Sequence, residues 1–188
     1  METAKAIEEA VAQGTQQFII DLRGNGGGNV HVGYELPEAM GVQVPMPMHG
    51  SIWRVSDLSR ERMERLGTYI PPGIDRYDRI PDMTMENPNN VFVSVLTDTY
   101  SFSAATMIQD GGLGNVVGQP SANSPSAFMQ TFPFTLPDSQ IQLTISETWI
   151  MRPDINADQN TLWPDIMVPA EDALDAALEF LQNLDVSN

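Results

Sequence analysis

The sequence predicts an α/β protein. Short apolar runs bounded by turn residues alternate with segments of helical character, and two long alternating stretches near the C-terminus read as a hairpin. Ala4 to Ala12 is rich in alanine and glutamate and stops before Gly14, which predicts a helix with a glycine terminator. Gln17-Phe18-Ile19-Ile20-Asp21 predicts a buried strand, and a glycine-rich loop, Arg23-Gly24-Asn25-Gly26-Gly27-Gly28-Asn29, follows it. A weaker helical pattern spans Val30 to Met40. Pro45-Met46-Pro47-Met48 reads as extended, and Ile52 to Val55 as an edge strand. Ser56 or Asp57 caps a short helix through Leu66. Gly67 to Asn90, with Pro71, Pro72, Gly73, Pro81 and Pro88, predicts a long surface loop.

Val91 to Thr97 is the clearest strand. Ser103 to Gln109 then reads as a short helix ended by Gly111-Gly112, and Asn115 to Gly118 as another short strand. Ala127 to Leu136 and Gln140 to Ile150 alternate around the turn Pro137-Asp138-Ser139. Glu171 to Leu184 closes the chain as a helix, with Leu174, Ala177, Leu178 and Leu181 at helical spacing.

Bulk properties narrow the function. The chain has 188 residues, enough for one self-supporting core, and a hydrophobic share of 41%. It carries 25 acidic against 9 basic residues, a formal charge of −16, which excludes a phosphate-neutralising nucleic-acid surface. Lys5 is the one lysine. Six of the eight arginines lie between Arg54 and Arg79, interleaved with acids, so they form no basic patch. No cysteine is present, which rules out disulfides and thiol chemistry. No apolar run reaches the ~20 residues of a membrane helix, and the first residues lack the pattern of a signal peptide.

Two segments carry chemistry. The glycine-rich loop presents backbone N–H groups without Cβ obstruction and suits an anion or an oxyanion. It has neither a Gly-Lys-Ser/Thr ending nor Gly-x-Gly-x-x-Gly spacing, so no phosphate cradle follows, and a plain turn is the bland alternative. Ser103 sits between a strand and a helix start, where nucleophiles and ordinary N-cap serines are both found. Asp154 to Asn160 with Asp165 partly matches a calcium loop. Gln159 replaces the required glycine and the twelfth residue is not glutamate, so an Asx-rich turn is the better reading and no metal site is expected.

Taken together, Phe18 to Gly28, Val95-Leu96-Thr97-Asp98 with Ser103-Ala104-Ala105, Gly114 to Ser121, Phe134 to Pro137, Arg152-Pro153-Asp154 and Leu162 to Val168 resemble the tail-specific, or C-terminal processing, serine peptidases, in order and over Phe18 to Leu181. The resemblance implies a ClpP/crotonase-like α/β sheet with helices and a C-terminal hairpin and helix. It implies Ser103 as nucleophile, with Ser101 as alternative, and an oxyanion hole from Gly28, or Gly27, with the N–H of Ala104. It implies a polypeptide substrate, no cofactor and an extracytoplasmic setting. The lysine base of well-known members is missing: Ser124 stands at its position, as in the lysine-free members of tricorn-core and retinoid-binding type. His31, just after the glycine loop, is the in-chain candidate base, and His49 a weaker one. A base in a preceding segment is the other expectation, with these residues forming the catalytic core of a longer protein. A peptide-binding member that has lost catalysis, and a crotonase-like acyl-transfer domain, remain the alternatives. The resemblance places the glycine loop beside the Ser103 helix, with Gly28 N and Ser103 Oγ within about 10 Å.

Overall fold

The computed structural model describes residues 2–44, 49–81, 84–154 and 161–185. Helix α1, Glu2–Ala12, ends at Gly14, whose φ of +91° lets the chain turn left-handed out of the helix. Strand β1, Gln17–Asp21, follows, then α2, His31–Ala39. Next come β2, Gly50–Arg54, and α3, Asp57–Arg65, with Ser56 as N-cap in a reciprocal pair with Ser59. The remaining elements are β3, Arg76–Arg79; β4, Phe92–Thr97; α4, Ala104–Asp110; β5, Asn115–Gly118; β6, Ala127–Thr135; β7, Gln142–Met151; β8, Ile166–Met167; and α5, Ala173–Asp185, entered through a short 3₁₀ turn at Ala170–Asp172.

Two sheets result. The first is wholly parallel, in the order β1-β4-β5-β8. Its strands bury both faces, as parallel strands do. Phe18, Ile20, Val93 and Val95 face a core shared with Leu36 of α2, Met40 at its C-cap, and Ala105 and Ile108 of α4. Ile19, Leu96 and Val117 face the opposite core, closed by Ala173 and Ala177 of α5. The period of two along each strand decides which side each residue serves.

The second sheet is antiparallel, in the order β3-β2-β7-β6. In sequence it is inserted between β1 and β4 and again between β5 and β8. Three expectations change here. β2 is no edge strand: it pairs with β3 on one side and β7 on the other. The stretch expected to be loop contains β3, Arg-Tyr-Asp-Arg, an edge strand whose charges hide its period and whose Tyr77 alone joins the Trp53, Val55, Met63 and Ile70 core. In α5 the buried stripe is Ala173, Ala177 and Leu181, while Leu174 and Leu178 are exposed, because the small alanines let the helix lie close on the sheet. The sequence reading of residues 45–48 lies outside the described residues, as does most of the calcium-loop reading.

The two sheets are also bridged by polar contacts. Asp110, at the end of α4, accepts a bidentate pair of hydrogen bonds from Arg152, just past β7. Buried His49, just before β2, lies 3.6 Å from the same carboxylate. That places His49 in a structural setting. Among the described residues no helix is long and apolar enough to cross a membrane.

Candidate active site

In the parallel sheet Asp21 pairs with Leu96, and Leu96 with Val117. The loops that leave β1, β4 and β5 therefore emerge at one edge, the carboxyl ends of the strands, where sites of open α/β sheets form. This register unites the end of β1 with segments 75 and 96 residues further along the chain.

The first two loops are stitched together by Asp98 and Ser101. The Asp98 carboxylate accepts hydrogen bonds from the Gly24 N–H at 3.0 Å and from the Tyr100 and Ser101 N–H groups at 2.9 Å each. The Ser101 hydroxyl donates to the Leu22 carbonyl at 2.8 Å and accepts from the Asp98 N–H at 3.0 Å. Ser101 is 0% exposed, with its hydroxyl proton committed to a backbone carbonyl. Phe102 adds an N–H bond to the Asn25 carbonyl at 2.9 Å. On the far side Arg23 grips Asp21 and donates to the Ala170 carbonyl. The hydrogen bond from Arg23 holds the Asp21 carboxyl below its ordinary range against the opposing effect of partial burial.

Ser103 differs from Ser101 in every respect. It is half-buried, and its hydroxyl makes no hydrogen bond among the described residues. Its backbone has φ +58° and ψ −115°, a conformation that side chains rarely adopt and that surrounding structure must impose. Asn123 is the restraint. Its Oδ1 accepts from the Ser103 N–H and from the Thr106 hydroxyl, at 2.8 Å each, while its Nδ2 donates to the Ser124 carbonyl. The segment expected to carry a lysine thus delivers a neutral amide to the elbow.

Gly27 closes the arrangement. A Cβ built on it would lie 2.6 Å from the Ser103 Cβ, 2.8 Å from the Phe102 carbonyl oxygen and 3.1 Å from the Ala104 nitrogen, so only glycine permits this approach. The Gly27 N–H is used by Asn25 Oδ1 at 2.9 Å. The N–H groups of Gly28 and Ala104 donate to nothing among the described residues. Bond lengths place Gly28 N within about 7 Å of both Ala104 N and Ser103 Cβ. Two free donors and a free hydroxyl therefore lie close together. Gly27, Gly28 and Ala104 also border a cavity of about 510 Å³ whose walls include Ile20, Val32, Leu36, Met40 and Ile108.

Neither histidine is hydrogen-bonded to the Ser103 hydroxyl. His31 is exposed at the start of α2, its ring 5.9 Å from that of Tyr34, with no hydrogen bond to Ser103. His49 is enclosed beside Asp110. Among the described residues no group of three or more potential ligands could hold a metal. Sequence reasoning missed Asp98 and Asn123 as members of the site. Both are short polar residues in loops, and only their hydrogen bonds single them out.

The family model of peptidase family S41 matches residues 1–168. This chain belongs to peptidase family S41. Solved structures share the fold: mature CPAF, 17% identical, with a TM-score of 0.64 over 97% of this chain and 45% of that one; a lipoprotein from Streptococcus agalactiae, 13% identical, 0.54 over 96% and 59%; and the photosystem II D1 C-terminal processing protease, 18% identical, 0.52 over 90% and 39%. The S41 chain described here thus spans less than two thirds of the length of each. Comparison with curated proteins finds no match.

Proposed function

We propose that this S41 chain is the catalytic core of a serine peptidase that cleaves exposed, extended polypeptide through an acyl-enzyme on Ser103. The observation that carries the reading is the approach of Gly27 to the Ser103–Ala104 elbow, with the Gly28 and Ala104 N–H groups unspent. In this mechanism the Ser103 oxygen attacks the scissile carbonyl and its proton passes to a general base. The carbonyl oxygen becomes an oxyanion between the Gly28 and Ala104 N–H groups. Collapse expels the amine, which takes up that proton, and leaves the ester. Water, activated by the same base, then attacks the ester and releases the acid. Such donors act on charge that develops only in the transition state, which is why their placement matters more than their number. Ser101, sealed and bonded to Leu22, supports the loop.

The base in this reading comes from chain outside these residues, since among the described residues no side chain is hydrogen-bonded to the Ser103 hydroxyl. These 188 residues alone are then expected to hydrolyse peptides poorly, because an unassisted serine is a weak nucleophile. An extracytoplasmic setting fits the same reading. The free hydroxyl without a base also favours one second reading, a peptide-binding member that no longer cleaves. The test is reaction of the full-length protein with a fluorophosphonate and mass spectrometry of the modified peptide. Labelling of Ser103, lost in Ser103→Ala and retained in Ser101→Ala, is the expected result. A folded protein that binds peptide and takes no label at either serine would instead establish the second reading.

A further inference from the structure

A second cleft, of about 460 Å³, lies against the antiparallel sheet and is bordered by His31, two residues past the glycine loop. Five elements or their connections line it, with His31 of α2, Trp53 of β2, Met63 of α3, Tyr77 and Arg79 of β3, and Gln130 of β6 among the walls. Acidic residues outnumber basic ones by 25 to 9 in the chain, yet no Asp or Glu lines this cleft. The acids nearest in sequence to His31, Glu35 and Glu38, line a different cleft that His31 also borders.

Three of the eight arginines, Arg54, Arg60 and Arg79, have no carboxylate partner among the described residues, and of these Arg79 alone lines the cleft, while Arg60 donates to backbone carbonyls. Arg23, Arg62, Arg65, Arg76 and Arg152 each pair with a carboxylate. Arg79 pairs with none among the described residues. The pleat explains this. Tyr77 and Arg79 share a face with Trp53 and Ser51 across the ladder, whereas Arg76 and Asp78 engage one another on the opposite face. Gln130 adds a second sign of a built site. It holds φ +55° inside β6, between the paired positions Met129 and Thr131, where it forms no rung of the ladder. Backbone strain of this kind collects at sites where a side chain must be aimed.

From these observations we propose that the cleft is a carboxylate subsite for the peptide substrate, with the Arg79 guanidinium as the charged anchor and His31 and Gln130 as flanking polar partners. The proposal rests on the peptidase reading above and deepens it. His31 lies three residues beyond Gly28, at most about 11 Å along the chain. The His31 wall of the cleft therefore sits within about four residues of a carbonyl held by Gly28 and Ala104, at ~3.3 Å per extended residue. The source is an Asp or Glu side chain or the terminal carboxylate of the substrate. A planar guanidinium serves either one through two parallel N–H bonds.

The test is binding, by fluorescence anisotropy, of labelled peptides to the full-length Ser103→Ala protein, so that cleavage plays no part. Four peptides vary one internal Glu against Gln and a terminal acid against a terminal amide. The expected result is about tenfold weaker binding when the relevant carboxylate is neutralised. The Glu/Gln pair and the acid/amide pair tell the two sources apart. Arg79→Gln should erase that preference, Arg79→Lys should restore part of it, and Arg54→Gln, on the opposite face of β2, should leave it intact. Peptides that bind equally well in all four forms, or a preference that survives Arg79→Gln in a protein of unchanged melting temperature, would overturn the subsite. If Ser103 takes the fluorophosphonate in the unmutated protein, that failure belongs to the subsite alone. Absence of any peptide binding, together with absence of label, would remove both.

Discussion

Substitution of Gly27 by alanine tests the architecture of the site most directly. The added methyl would lie 2.6 Å from the Ser103 Cβ, against 3.4 Å or more for ordinary contact, so the two segments must part by about 0.8 Å. The atoms it meets next are the Phe102 carbonyl oxygen and the Ala104 nitrogen, backbone that cannot swing aside. An alanine at φ +96° adds backbone strain of about 1–3 kcal/mol, and overpacking adds about 1–3 kcal/mol more. Part of this total lowers stability, and the rest is relieved by pushing the glycine loop away from the elbow. A displacement near 1 Å at a reacting centre costs roughly 100-fold. Fluorophosphonate labelling of Ser103 in Gly27→Ala should therefore slow about 100-fold, with a melting temperature lower by about 4 °C or more. Gly26→Ala is the control: its Cβ meets nothing within 4 Å and its φ is not in the left-handed region, so it should label like the parent. Gly28→Ala, unobstructed but at φ +144°, isolates strain from collision. A Gly27→Ala protein with unchanged labelling and melting temperature would refute the idea that this glycine sets the spacing between the donors and the nucleophile.

Two further outcomes follow from the same contacts. Asn123→Ala removes the shared acceptor of the Ser103 N–H and the Thr106 hydroxyl, a loss of about 1 kcal/mol per bond, and should slow Ser103 labelling at least tenfold by releasing the positive-φ conformer; Asn123→Asp, which keeps the acceptor, should recover part of the rate, and an alanine variant that labels normally would show that Asn123 does not hold the elbow. Burial pushes the Glu147 carboxyl above its ordinary value, against the opposing pull of Arg62, so its protonated form is favoured in the folded state: its contribution to stability is present below the ordinary glutamate pKa and lost as pH rises through the raised folded value. Glu147→Gln should then match or exceed the parent in melting temperature at pH 7, by up to about 4 °C, and lose that advantage near pH 4; a variant clearly less stable at pH 7 would mean that the Arg62 ion pair outweighs the burial.

Much of this S41 domain is legible without coordinates because its signals are local. The apolar runs at Gln17–Asp21 and Phe92–Thr97, the Ser56 cap, the Gly14 stop and the β6–β7 alternation each act over a few residues, and each forms the element its pattern predicts. The glycine loop and the serine at a strand-to-helix junction are visible for the same reason. Other features depend on what a segment meets. Arg76–Arg79 becomes a strand because the β2 edge supplies its hydrogen bonds, not because Arg-Tyr-Asp-Arg favours one. The face of α5 turned inward is the alanine face because the parallel sheet approaches closely there. Ser101 and Ser103 are chemically identical in sequence; burial against Leu22 commits one hydroxyl, and the elbow held by Asn123 leaves the other free. Gly27 and Gly28 are equally flexible, yet contact with Ser103 and Asn25 engages the first and leaves the N–H of the second unspent. Sequence alone determined which residues can bend, cap, alternate or react. Tertiary structure decided which of them meet, because the parallel β1-β4-β5 register joins loops that local interactions cannot bring together.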